Sequence, residues 1–62
     1  MNDRDIYTID AMEKYGGSFV KALAVLARHA DYNNLILIKN TWSAYWQEYE
    51  IMGIKMEEDS KK

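Results

Sequence analysis

Few residues of this 62-residue chain have the chemistry to catalyse a reaction or to hold a metal. His29 is its single histidine and therefore its one candidate general base, and the chain has no cysteine. Nucleophilic catalysis needs a serine, cysteine or lysine with a base beside it, whereas Ser18 and Ser43 fit a helix cap and a small surface residue. His29 and Asp31 are close in sequence, but across a helix end they form no preset pair of metal ligands. We therefore expect no enzyme activity, no metal site and no cofactor.

Carboxylates and glycines offer two further kinds of site, and neither has the pattern it needs. Asp10 lies near Glu13, and Glu48 lies near Glu50, as acid–base catalysis would require. The sequence implies no pocket around either pair, so we interpret both as solvated surface. Residues 16–18 lead into a helix whose free amides can bind a phosphate. They lack the G-x-x-x-x-G-K pattern and no strand precedes them, so a break between helices is the better interpretation.

Glycines divide the chain into the helices that must position these residues. Gly16 and Gly17 can adopt the left-handed conformation that ends a helix, and Ser18 can cap the next one. We predict an all-α fold, a small three-helix domain in which a short first helix precedes a hairpin of a medium and a long helix. One helical domain over residues 1–56 then precedes a disordered charged tail over residues 57–62. The helices are expected at about residues 6–15, 18–29 and 32–52.

Polar residues and a third glycine mark the ends of these helices. Asp5 or Thr8 is the expected cap of the first helix. Asp31 is the expected cap of the third helix, because its carboxylate can reach an amide of the first turn. Gly53 is expected to close that helix.

An apolar stripe along the third helix alternates steps of three and four residues, which is typical of the buried face of a helix. Trp46 lies beside it and fits either the core or an interface. Leu37, Ala44 and Ile51 form a second, thinner line that we interpret as a candidate dimer surface. A chain this short without disulfides or metal gains stability from self-association, so a homodimer is favoured. The stripe consists of Leu35, Ile38, Trp42, Tyr45, Tyr49 and Met52.

The second helix has its own predicted core face, which contains Phe19, Leu23, Leu26 and Ala30 at steps of four, three and four. Small alanines lie on its other sides and would let a second backbone approach closely.

Charge is unevenly distributed, although the net charge is only −2. Both ends of the chain are acidic and the middle is mildly basic. Lys21, Arg28 and Lys39 lie in the basic part, where they are either solvated helix surface or a small docking patch for an acidic partner.

Two helices joined by a tight turn also resemble a helix-turn-helix at low resolution. The contact candidates would be Asn33, Asn34, Lys39 and Asn40. The third helix then continues into an apolar run instead of base-reading side chains, and a pI near 5.2 opposes binding to phosphates. A nucleic-acid-binding protein is therefore the alternative, and nucleic acid is not the expected partner.

No signal pattern opens the chain, and its longest apolar run, residues 35–38, is far too short to span a membrane. The lack of cysteine suits a reducing compartment. We expect a cytoplasmic protein with no membrane partner.

Three strings of residues resemble a recurring type of small uncharacterised helical protein encoded by phages and prophages. They are YGGSFVKALA over residues 15–24, LARHAD over residues 26–31 and IKxTWxxYWxxYE over residues 38–50. The resemblance covers about residues 13–50 and lies in the order of its landmarks: the glycine break, the alanine-rich helix, the Ala-Asp corner and the aromatic cluster.

Tyr32 and Ser43 stand where such sequences have a proline, so a helix stop at either position is not implied here. The resemblance implies a phage or bacterial origin and the cytoplasm of a bacterial host, and it implies no activity, cofactor or catalytic residue. Small phage proteins of this kind often bind a host or phage protein. Protein–protein binding is therefore the leading hypothesis by analogy.

Overall fold

The structure is a computed structural model that describes residues 1–61, and this part of the chain contains four α-helices and no strand. The predicted all-α class is confirmed. The predicted number of three helices is too small, because two helices occupy the range of the predicted third one. The four helices are α1 (Asp3–Tyr15), α2 (Ser18–His29), α3 (Tyr32–Thr41) and α4 (Ser43–Ser60).

A break at Trp42 divides the long helix that the sequence predicted over residues 32–52. Trp42 has φ −116° and ψ 46°, outside the helical region. Its N–H still donates to the Ile38 carbonyl at 3.0 Å, and its own carbonyl accepts from the Trp46 N–H at 2.9 Å. The chain therefore changes direction while both backbone groups of this residue stay hydrogen-bonded. The turn lets α4 pack along α1, its most extensive contact.

Gly53 lies in the middle of α4 and does not end a helix, which corrects its predicted role. A Cβ at this position would meet the carbonyl carbon of Tyr7 at 2.5 Å and the amide nitrogen of Thr8 at 3.0 Å. Glycine therefore lets the backbones of α1 and α4 approach each other. Beyond it, α4 continues to Ser60, so residues 57–60 are helical where the sequence predicted a disordered tail. Lys62, the end of that predicted tail, lies outside the described residues.

Side-chain caps begin two of the helices. The Asn2 Oδ1 accepts from the Asp5 N–H at 2.8 Å, so the cap of α1 is Asn2, and neither Asp5 nor Thr8 has that role. The Asp31 carboxylate accepts from the Asn34 N–H at 2.8 Å, which confirms the predicted cap of α3.

The turn between α1 and α2 is extended, not left-handed. Gly16 has φ −74° and ψ 154°, and no residue among 1–61 has a positive φ. Gly17 is the N-cap of α2, and Ser18 is its first helical residue, so Ser18 is not the predicted cap. A Cβ on Gly16 would lie 2.5 Å from the Met12 carbonyl oxygen and 2.6 Å from a Val20 methyl, whereas a Cβ on Gly17 would meet nothing within 4 Å. Only the first glycine is needed for a close contact.

Helix α1 is at the centre of the core. Ile9, Ala11 and Met12 are fully buried, and so is Thr8, whose hydroxyl donates to the Arg4 carbonyl at 2.8 Å. A buried hydroxyl with such a partner avoids the cost of an unpaired polar group. The core cluster combines residues of all four helices: Ile9, Met12, Val20, Leu23, Ala24, Ala27, Leu35, Ile38 and Trp46.

Replacement of Gly53 by alanine tests the contact between α1 and α4. The new methyl meets backbone atoms of α1, which no side-chain rotation can move away, so we expect a loss of about 1–3 kcal/mol of unfolding free energy. Thermal denaturation followed by circular dichroism measures it. Gly17→Ser is the matched control, because it places a side chain in open space at a helix N-cap and should be neutral or stabilising. Equal melting temperatures for the two variants would contradict the close contact.

Candidate functional site

A groove open to solvent runs between α2 and α3 and has a volume of about 490 Å³. The last turn of α2 forms one wall and the length of α3 forms the other. No Asp, Glu, Lys or Arg is among its lining residues. The lining consists of Leu26, His29, Ala30, Asn34, Leu37, Ile38, Thr41 and Trp42.

A smaller hollow of about 160 Å³ continues this groove toward the start of α2. It shares Leu26 and Trp42 with the larger hollow and adds Phe19 and two neighbours on α2. The Phe19 ring lies 6.4 Å from the Trp42 ring, edge to face, and 5.6 Å from the Tyr45 ring, measured between centroids. We call both hollows together the α2–α3 groove.

Helix α2 leaves two of its large apolar side chains half exposed to solvent. Val20, Ala24 and Ala27 are buried together with Leu23, while Phe19 and Leu26 are 55% and 50% exposed. The predicted core face of this helix, which included Phe19 and Leu26, is therefore only partly correct. The apolar residues of α2 form one broad face, and the structure buries only part of it. Periodicity alone does not tell how much of a broad apolar face is buried.

Leu37, Ala44 and Ile51, the predicted dimer line, lie on two different helices. Leu37 is 62% exposed and lines the α2–α3 groove. Ala44 is exposed at the start of α4. Ile51 is 69% exposed, beside Ile54 in a shallow depression on α4. Because the chain turns at Trp42, the structure places these residues in separate surroundings.

Trp46 belongs to the core and is not a surface anchor. Its side chain is only 3% exposed, and it packs in the central cluster. Its Nε1 is buried and has no hydrogen-bond acceptor among residues 1–61. This assigns Trp46, one of the predicted interaction candidates, to the interior.

Two of the three predicted docking cations are held by carboxylates of α1. Arg28 donates through Nε and Nη2 to Glu13 at 2.7 and 2.6 Å, and through Nη2 to Asp10 at 2.7 Å. Lys39 forms an ion pair with Asp5 at 2.8 Å. Lys21 is exposed and has no ion pair within the described range. The predicted basic patch is therefore reduced to one lysine.

The Asp5–Lys39 pair joins three helices. Asp5 on α1 is nearly buried, with 6% of its side chain exposed, while Lys39 on α3 is 33% exposed. The Lys39 ammonium also lies 5.6 Å from the ring centroid of Trp46 on α4, within range of a cation–π contact. This pair holds α3, one wall of the α2–α3 groove, against the rest of the molecule.

The candidate nucleic-acid contacts lie near the same helix. Asn33, Asn34 and Asn40 are exposed on α3. Lys39 is committed to Asp5, so this surface has no free cation to contact a phosphate within residues 32–41.

The candidate catalytic groups are not assembled. His29 lines the groove and is exposed, and neither Ser18 nor Ser43 forms a hydrogen bond with it in the part of the chain that the structure describes. No group of three or more His, Asp or Glu side chains in residues 1–61 is placed to hold a metal ion. None of the described helices combines the length and the apolar character needed to cross a membrane.

No family model, no curated protein and no solved structure matches this chain. Its function is therefore inferred from its own residues, and the α2–α3 groove is an apolar surface that nothing covers within residues 1–61.

The Arg28 contacts make stability depend on pH. The hydrogen bonds from Arg28 lower the pKa of Glu13 from its ordinary value of 4.5. A carboxylate with a lowered pKa in the folded state contributes stability that is present above the ordinary value and lost as the pH falls through the lowered one. The effect is small, because both side chains are about 40% exposed and solvent screens the pair.

Glu13→Gln should reduce the unfolding free energy by about 0.5–1 kcal/mol near neutral pH, and the difference from the parent should vanish in strong acid. Thermal unfolding over a pH series measures it. Glu48→Gln on α4 is the control, since Glu48 is exposed and forms no ion pair within residues 1–61. If the unfolding free energy of Glu13→Gln stays below that of the parent by the same amount in strong acid, the Arg28 contact has no part in the pH dependence.

Substitution of Lys39 should reduce the free energy of unfolding more than substitution of Asp5. Lys39→Met leaves the nearly buried Asp5 carboxylate without its cation, so we expect a loss of about 2–3 kcal/mol. Asp5→Asn leaves a lysine that can reach water, so we expect a loss of only about 1 kcal/mol. Urea denaturation of both variants measures the difference. A larger loss of unfolding free energy for Asp5→Asn than for Lys39→Met would mean that the lysine, and not the carboxylate, depends on its partner.

Proposed function

We propose that this protein is a small accessory protein of phage or bacterial origin that acts by binding another protein chain and has no catalytic activity. The observation that supports it is the arrangement of α2, which buries alanines and leaves Phe19 and Leu26 half exposed beside the α2–α3 groove. The origin follows from the resemblance in sequence, and the binding surface follows from the groove.

The α2–α3 groove has the properties of a protein-binding surface. Single exposed apolar residues are ordinary, whereas contiguous apolar patches mark interaction sites. Phe19, Trp42 and Tyr45 form one aromatic group at one end, and Leu37 lines the groove on α3. Aromatic side chains account for a large part of the binding energy at protein interfaces. An apolar groove between two helices suits the apolar face of a third helix.

Nucleic-acid binding is the weaker candidate. Lys39 and Arg28 are neutralised by carboxylates of α1, and the exposed groove is apolar. Counterion release from phosphates supplies most of the affinity of nonspecific nucleic-acid binding, and it needs free cations. A gel-shift assay with duplex DNA at low salt separates the two proposals, and a shifted band would favour the alternative.

Selection from a displayed library of random helical peptides tests the groove directly. We expect enriched peptides with one apolar face, and their affinity should fall at least about tenfold for Leu37→Asp, which places a carboxylate in the groove wall. Ile51→Asp is the matched control, because Ile51 is exposed to a similar extent on α4 and does not line the groove. Selected peptides that bind Leu37→Asp as well as the parent would contradict the proposed site.

A further inference from the structure

We infer that the occupant of the α2–α3 groove is a second copy of this chain, in a two-fold homodimer in which α2 and α3 of one protomer face α2 and α3 of the other. This inference rests on the proposed role of the groove as a protein-binding surface and names its partner. It places the interface on α2 and α3, and α4 with Ile51 lies outside it.

The groove and Leu37, the residue that would fill the groove of a second copy, lie on the same face. A two-fold interface is isologous, so one patch must contain both the projecting residue and the hollow that receives it. Leu37 is 62% exposed on the wall of the apolar hollow between α3 and α2. Two copies related by a two-fold axis can each place Leu37 against the hollow of the other.

Charge selects this face over the others. Nine of the ten Asp and Glu residues lie on α1 and α4, and neither α2 nor α3 contains an acidic residue. A two-fold contact through α1 or α4 would bring like carboxylates together, which costs several kcal/mol when they are juxtaposed in an interface. The α2–α3 face is free of that penalty, because Arg28 is turned toward α1 and the groove lining is uncharged.

The size of the patch agrees with a reversible dimer. A stable interface buries about 800 Å² on each partner, which is roughly a fifth of the 4320 Å² surface of this protein. On the α2–α3 face, Phe19, Leu26 and Leu37 are between 50% and 62% exposed. Because this face has only a few large apolar side chains to cover, we expect a dimer that dissociates on dilution.

Sedimentation equilibrium over a wide dilution series tests the inference. The parent should approach twice its mass of 7.3 kDa at high concentration and return to 7.3 kDa on dilution. Leu37→Asp should stay at the monomer mass, with dissociation at least about tenfold easier, because the two-fold axis brings two carboxylates into an apolar interface. Ile51→Asp, on the face outside the interface, should behave like the parent.

Helical circular dichroism must be unchanged in each variant, and Leu37→Asn, of similar shape and uncharged, replaces Leu37→Asp if the latter fails to fold. A parent that is monomeric at every concentration overturns the inference. So does a dimer that survives Leu37→Asp, or one that Ile51→Asp dissociates.

The two proposals can fail separately. A monomeric parent whose selected peptides still depend on Leu37 means that the groove takes a foreign helix, so the proposed function stands and the homodimer does not. A dimer lost in Leu37→Asp, with no peptide selected, leaves self-association as the role of the groove and overturns the binding of other proteins there.

Discussion

The close approach of α1 and α4 at Gly53 is the constraint on which the rest of the structure depends. A Cβ at this position would overlap the backbone of α1 at Tyr7 and Thr8. The two backbones are in contact at this point, and Thr8, Ile9 and Met12 of α1 are fully buried. A chain of this size has too few large residues to fill a wide core, so a small distance between backbones replaces side-chain volume.

Helix α2 packs along α1, whereas α3 has few direct contacts with any other helix. Arg28 ties α2 to the carboxylates of Asp10 and Glu13, and Lys39 ties α3 to Asp5. Direct contacts between α2 and α3 are far fewer than those that α1 makes with α2 or α4. Two walls that are positioned separately leave a gap between them, and this gap is the α2–α3 groove. The ion pairs therefore contribute to the shape of the binding surface as well as to stability.

Local signals predicted the parts of this fold that depend on neighbouring residues. The all-α class, the bounds of α2 and the cap at Asp31 follow from helix propensity, glycine positions and capping chemistry. The break at Trp42 has no such signal, since neither proline nor glycine is near it, and it arises from the packing of α4 along α1. Gly53 was interpreted as a helix end because glycine often ends helices. Glycine also allows two backbones to approach closely, and only the tertiary structure reveals that Gly53 has this second role.

Only part of the candidate site could be predicted from the sequence, for a related reason. Leu37 was recognised as a surface residue because it falls off the main stripe, and it lines the groove. Phe19 and Leu26 were assigned to the core, because large apolar residues at helical spacing are usually buried. The core has no room for them, since Ala24 and Ala27 bring α2 close to α1. The surface cation Arg28 was misjudged because its partners lie on another helix, 15 and 18 residues away in sequence.

The arrangement of α2 is unfavourable for a protein that stays alone. Burial of a phenylalanine or leucine side chain contributes about 1.5–3 kcal/mol, and burial of an alanine contributes much less. This helix buries Val20, Leu23, Ala24 and Ala27 and leaves Phe19 and Leu26 about half exposed, so the monomer forgoes part of the apolar burial that its sequence offers. The close contact with α1 requires small side chains at Ala24 and Ala27. Phe19 and Leu26 become fully buried only when another chain covers them. A covered α2–α3 face would thus supply stability that a 62-residue domain without disulfides otherwise lacks.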